Sequence, residues 1–206
     1  MKKARTALVT ALTVFLLSGC GNYGGASKFS LEQSSVFVTR EGGLSSAMVE
    51  TCDKDYYDGQ ELQAFIEEAV AVYNAANQDG AVALESCTME EGKAVAVFDY
   101  ADGTALLNFL KEHGDSSLQL TNLEVMTVSD GLVAGKVSDG TWIQAKDGSG
   151  VSLDTVTKKG NLNLVAVEGT GVIQTEGKIQ YYSGNVTLQD GFTAAVSEGK
   201  AYIVFK

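Results

Sequence analysis

Proline is absent from the 206 residues, and histidine and tryptophan occur once each. Without proline, tight turns fall to glycine, aspartate and serine, so the 23 glycines are unusually informative about chain reversals. A lone histidine, His113, leaves little material for Ser-His or Cys-His catalysis, which needs a base beside the nucleophile. None of the three cysteines stands in a C-x-x-C pair, so a dithiol redox function has no motif. Lys and Arg form no run beyond the first residues, which argues against nucleic acid, since phosphate backbones are held by clustered bases. The longest apolar stretch, Ala7 to Leu17, falls well short of the ~20 residues of a membrane-spanning helix.

What is present begins with an address. Lys2, Lys3 and Arg5, the apolar stretch after them and the small residues that follow have the three-part pattern of a secretory signal, residues 1–19. Leu17-Ser18-Gly19-Cys20 resembles the bacterial lipobox, in which the cysteine thiol receives a diacylglyceryl group. Two acyl chains, each buried methylene adding ~0.8 kcal/mol, give stable anchoring. The expected location is the outer, extracytoplasmic face of the cell membrane, with the membrane as a partner through lipid on Cys20. Residues 20–34 then read as lipidated cysteine and flexible tether. Gly21 to Lys28 is rich in glycine and small polar residues and extends only about 25 Å at roughly 3.3 Å per residue.

The whole chain carries 15 Lys+Arg against 26 Asp+Glu. Loss of the signal removes three bases and no acids, leaving 12 against 26 and a formal charge of −14. Such acidity keeps an exported protein hydrated and favours cations or basic partners over acidic ones. With Cys20 committed to lipid, an oxidising compartment leaves Cys52 and Cys87 as a pair expected to form a disulfide. In the chain-entropy model that loop is worth about 4 kcal/mol, provided that the two β-carbons approach each other.

Residue patterning predicts an α+β fold: a ββαββα block over 35–128, then a β-rich half with hairpins over 129–206, either packed on the first or separate. Ser35–Arg40 and Leu44–Thr51 read as one hairpin. Asp58-Gly59-Gln60-Glu61 starts a helix whose apolar face, Leu62, Phe65, Ile66, Ala69, Val70 and Tyr73, recurs at three- and four-residue steps as far as about Ala76. Ala81–Cys87 and Lys93–Tyr100 form a second hairpin around Met89–Gly92. Asp102 caps a second helix ending at His113-Gly114, and Leu123–Val128 is a further strand. Asp-Gly steps at 130, 139, 147 and 190 mark tight turns.

Ser35-Val36-Phe37-Val38-Thr39-Arg40, Ala47-Met48-Val49-Glu50, Asp53-Lys54-Asp55-Tyr56-Tyr57-Asp58 and the closing Ala201-Tyr202-Ile203-Val204-Phe205-Lys206 resemble clostridial (Firmicutes) surface lipoproteins of unknown function. The resemblance covers the two ends of the folded part. It implies a surface location and carries over no functional residues; the paired cysteines are a departure from it, aromatic residues being associated with those places.

Asp53, Asp55 and Asp58 form the densest acidic cluster and are the candidate metal ligands, with Ca2+ the ion that hard oxygens would take. An EF-hand starting at Asp53 would put Tyr57 at its fifth position and Ala64 at its twelfth, where a glutamate is required, and helix capping already accounts for Asp58. His113 at a helix C-terminus suits the local dipole without a catalytic task. Ser197-Glu198-Gly199-Lys200 has the S-x-x-K spacing but lacks the companion motifs of penicillin-binding enzymes and reads as a hairpin turn. Tyr56, Tyr57, Trp142, Tyr181 and Tyr182 would form a stacking surface if they projected together. The expected function is a non-catalytic binding or interaction module for an envelope component, polysaccharide or other polymer, or protein. The alternatives are an extracellular polysaccharide hydrolase with paired carboxylates, and a structural accessory subunit of an envelope complex.

Overall fold

A computed structural model describes residues 28–52, 54, 57–114, 116–138 and 140–206. The signal segment, Cys20, Asp53, Asp55, Tyr56 and Asp139, with the turn expected there, lie outside the described residues.

The first half runs β1 (Ser35–Val38), β2 (Leu44–Thr51), α1 (Gly59–Ala76), β3 (Val82–Glu90), β4 (Lys93–Tyr100) and α2 (Gly103–His113), the ββαββα order of the sequence pattern. Asp58 stays extended and its Oδ1 accepts from the backbone N–H of Gln60 (2.7 Å) and Glu61 (3.1 Å), satisfying two of the free donors of the first turn of α1. Asp102 caps α2 with one such bond, from the Ala105 N–H. β3 continues past Cys87 to Glu90, because the reversal needs only Glu91 and Gly92, both at positive φ (51° and 75°), a backbone that twists with the strands it joins.

The second half is β5 (Gln119–Thr127), α3 (Val128–Val133), β6 (Trp142–Gln144), β7 (Gly150–Val151), α4 (Leu153–Thr157), β8 (Asn163–Thr175), β9 (Ile179–Ser183), β10 (Val186–Leu188), β11 (Thr193–Val196) and β12 (Lys200–Phe205). Asp130-Gly131, expected as a tight turn, lies inside α3. Thr127 Oγ1 accepts from the Asp130 N–H and so starts a helix there, and Gly131 is buried where a Cβ would stand 2.8 Å from the Leu164 side chain. Asp147-Gly148 and Asp190-Gly191 do make turns, the Asp190 carboxylate accepting from the Phe192 and Thr193 N–H groups.

The twelve described strands join one sheet, whose main path is β3-β4-β2-β1-β8-β12-β9-β6-β7. The thirteen residues of β8 are its axis. Asn163–Glu168 pairs with β12 and, together with Gly169 and Thr170, with β5; Gly171–Gln174 pairs with β11, and Ile173–Thr175 runs parallel to β1. β11 and β12 thus follow successive stretches of one strand. Ser197–Gly199, expected as a hairpin turn, is an interruption between them, because Lys200 resumes pairing with β8 at Glu168. Gly169 stands opposite that interruption at φ +117°, where a Cβ would collide with the Gln119 carbonyl; only glycine fits a bend this crowded.

The largest buried cluster draws Val36, Val38, Phe98, Leu106 and Phe109 from the first half and Val165, Ile173, Ile203 and Phe205 from the second. Sheet pairing and core therefore both cross the midpoint of the chain. A second cluster lies around Trp142, Val156, Leu164, Tyr202 and Val204, where α3 and α4 sit. Residues 28–34 run along the body. Phe29 stacks on Phe37 at 5.0 Å, the buried Gln174 side chain exchanges hydrogen bonds with the Ser30 backbone, and Lys93 Nζ donates to the Leu31 carbonyl.

Candidate functional site: an apolar cleft beneath α1

The two halves of α1 are held differently. Toward its end, Asn74 exchanges two hydrogen bonds with the backbone of Val82 (2.8 and 3.0 Å), and Val70 and Tyr73 are buried. Tyr73 packs edge-on to Phe109 at 5.3 Å, with Phe98 and Tyr100 against the same ring. Toward its start, Leu62, Ile66 and Ala69 are only partly buried and border an open cleft of about 460 Å³.

The sequence of β4 explains the gap. Its helix-facing positions are Ala94, Ala96, Phe98 and Tyr100, side chains alternating across the strand. Under the end of α1 the large aromatic pair fills the space; under its start two methyl groups do not. Met48 stands beside Ala96 on β2 and Met89 beside Ala94 on β3, and both methionines line the cleft. Unbranched thioether side chains adapt to irregular apolar partners. Phe65, at the rim, is 70% exposed, and Val72, two turns further along, 64%. The apolar surface of α1 is wider than the body of the protein covers.

Among the described residues, Glu50, Asp58 and Glu61, all exposed, and His113 are ionisable side chains that border the cleft beside Cys52 and Tyr57. No Lys or Arg is among its sixteen described lining residues. His113 ends α2, as its position before Gly114 suggests, with its ring 4.9 Å from Phe109 and Nε2 3.8 Å from a Glu112 carboxylate oxygen.

The structure does not join the two cysteines expected to form a disulfide. Cys52 and Cys87 are free thiols, and the register explains why. β4 lies between their strands; Cys87 is opposite Ala96, while the Cys52 N–H donates to the Gly92 carbonyl. Four rungs along and two strands across put them roughly 16 Å apart at ordinary sheet spacings, against Cα separations below about 7 Å in a disulfide. Burial, and secondarily the Glu67 carboxylate, raises the pKa of the Cys87 thiol.

Of the proposed calcium ligands, Asp58 is the α1 cap, and Asp53 and Asp55 lie outside the described residues. Among the described residues no three His, Cys, Asp or Glu side chains are grouped as a metal site would require. Among its described members the stacking surface does not assemble: Trp142 and Tyr181 are buried, Trp142 stacking on Tyr202 at 5.4 Å, and Tyr182 packs against the main core. Of the four described rings, Tyr57 borders the cleft. No described helix is long and apolar enough to cross a membrane. Comparison with protein-family models, curated proteins and solved structures gives no match.

Proposed function

We propose that the chain is a non-catalytic binding module, held by lipid on Cys20 at the outer face of the cell membrane, and that the cleft beneath α1 is its binding surface. The observation that carries this is the open apolar space over Ala94 and Ala96, bordered by the exposed Phe65. A concave apolar surface with a few polar groups at its edge is the usual form of a ligand site. Such a lining favours an apolar or amphipathic group of a protein or envelope component over a bare polysaccharide, because two of the rings that would stack on sugars, Trp142 and Tyr181, are buried and Tyr182 packs against the main core. The hydrolase alternative has weaker support. Glu50, Asp58 and Glu61 are exposed, whereas a glycosidase acid is set up by apolar burial.

A photo-crosslinking residue placed at Phe65 and, separately, at Val133 tests the surface on intact cells. Both side chains are exposed, Val133 at 91%, and Val133 is not among those bordering the cleft. A defined crosslinked product is expected from position 65 alone; equal products from both positions, or none from 65, would refute the cleft as the binding surface. Cys20→Ala should release the protein from the membrane fraction, and retention there would overturn the lipid anchor.

A further inference from the structure

We infer that the occupant of the cleft is an amphipathic basic segment of a partner protein, an assignment that rests on the binding role proposed above: an apolar side chain over Ala94 and Ala96, with Lys or Arg alongside to meet Glu50, Asp58 and Glu61. The charge distribution around the cleft carries it. From Asp58 to Gly92, which spans all of α1 and β3, there are eight acidic residues and no Lys or Arg; Lys54 and Lys93 flank the stretch without lining the cleft, Lys93 donating to the Leu31 carbonyl. On α1 itself, Glu61, Glu67 and Glu68 are exposed, and the rim repeats the pattern. An apolar groove inside an acidic frame complements a helix or strand that is apolar on one side and cationic beside it. The apolar contact supplies affinity; the exposed charges select among partners and speed encounter.

The same frame disfavours other occupants. An anionic lipid surface would meet like charge from the rim and from a mature chain of formal charge −14. A second copy would bring a frame of the same acidic charge up to this one. The tether residues Gly21 to Ser27 offer one large apolar side chain, Tyr23, among glycines and small polar groups.

Cys52, inside the cleft, is a built-in reporter. The lipidated full chain in phosphatidylcholine nanodiscs, a neutral bilayer, would be alkylated with a maleimide in the presence of an amphipathic Leu/Lys peptide of about five helical turns, and Cys52 modification followed by peptide mass spectrometry. Saturable protection of Cys52 is expected. It should weaken about tenfold in a Glu50→Lys/Glu61→Lys chain and fall with added salt as the Debye length shrinks from about 10 Å at 0.1 M to about 3 Å at 1 M. A Leu/Glu peptide of the same length should not protect. Phe65→Ser, at an exposed position that leaves the fold intact, should also weaken protection. Equal protection by the two peptides would overturn the basic partner while leaving the cleft a binding surface. Adsorption of the chain to phosphatidylglycerol vesicles that Phe65→Ser abolishes would assign the cleft to lipid instead. Loss of both peptide protection and crosslinking from position 65 would remove the binding role as well.

Discussion

The sheet is covered in two ways. Over β8, β12, β9 and β6, the cluster around Trp142 is closed. The tryptophan is 1% exposed and stacks on Tyr202, whose hydroxyl donates to the Lys136 carbonyl at 2.9 Å and whose N–H donates to Ser183 Oγ at 2.9 Å. α3 and α4, six and five residues long, lie over that cluster, and neither is long enough to be stable alone. Over β2, β4 and β3, the eighteen-residue α1 has length to spare and still leaves its first half standing over an open space. Helix length therefore does not decide which face is finished; the bulk of the sheet residues beneath does. A Trp–Tyr pair fills one site, and Ala94 and Ala96 leave the other empty.

Truncation at matched aromatic positions gives the largest contrast. Trp142→Ala removes a fully buried ring and should cost about 3–5 kcal/mol. Phe65→Ala should stay within about 0.5 kcal/mol, because the ring is mostly in water already. Urea unfolding of both variants checks this. A cost above about 2 kcal/mol at Phe65 would mean that the cleft is closed in solution and would break the contrast.

An intermediate effect should come from the seam where the cleft ends. Tyr100 is buried with its hydroxyl 2.8 Å from Ser46 Oγ, and burial, partly offset by that hydrogen bond, pushes its pKa well above the usual 10.0. Tyr73 beside it is raised too, chiefly by burial and next by Glu112. A raised pKa means that the folded state keeps a proton which the unfolded chain releases. These groups therefore contribute no pH dependence below about pH 10, and stability falls as pH rises through and above it, by up to roughly 1.4 kcal/mol per pH unit for each tyrosine. Melting temperature measured from pH 8 to 12 should be flat and then drop, with a shallower drop in Tyr100→Phe. An identical alkaline limb in the variant would show that water reaches the hydroxyl and that the filled part of α1 is as open as the rest.

The elements were legible in the sequence because their signals are local. Asp58 and Asp102 announce two helix starts, and glycine marks the reversals at Gly92, Gly148 and Gly191. Where the reading failed, a tertiary partner outweighed a local rule. Asp130-Gly131 became helix because Leu164 needs the space that Gly131 leaves, and Ser197–Gly199 became an interruption because both flanking strands pair with β8. The two cysteines stand apart for a related reason: parity counts cysteines, while the register of β4 decides their distance. The cleft had a readable signal that went unused, namely the step from Ala94 and Ala96 to Phe98 and Tyr100 on one face of a strand. Recognising it required knowing that α1 lies over that face, and no local pattern states which strand a helix will cover.

The smallest expected effect measures the acidic field directly. Cys87 sits on β3 opposite Ala96, with its pKa raised first by burial and then by the Glu67 carboxylate on α1. Only the thiolate is alkylated, so at pH 8 Cys87 should react more slowly than an unhindered thiol. Glu67→Gln removes the charge and keeps the shape, so the thiolate fraction, and with it the rate, should rise. Because Glu67 is exposed, water and salt screen the interaction, and the gain should stay below about threefold and vanish near 1 M salt, where the Debye length is about 3 Å. A gain that survives 1 M salt would point to altered access instead of altered charge. No gain at low salt would mean that the glutamates of α1 set no field at β3, and the acidic frame around the cleft would lose its power to choose a basic partner.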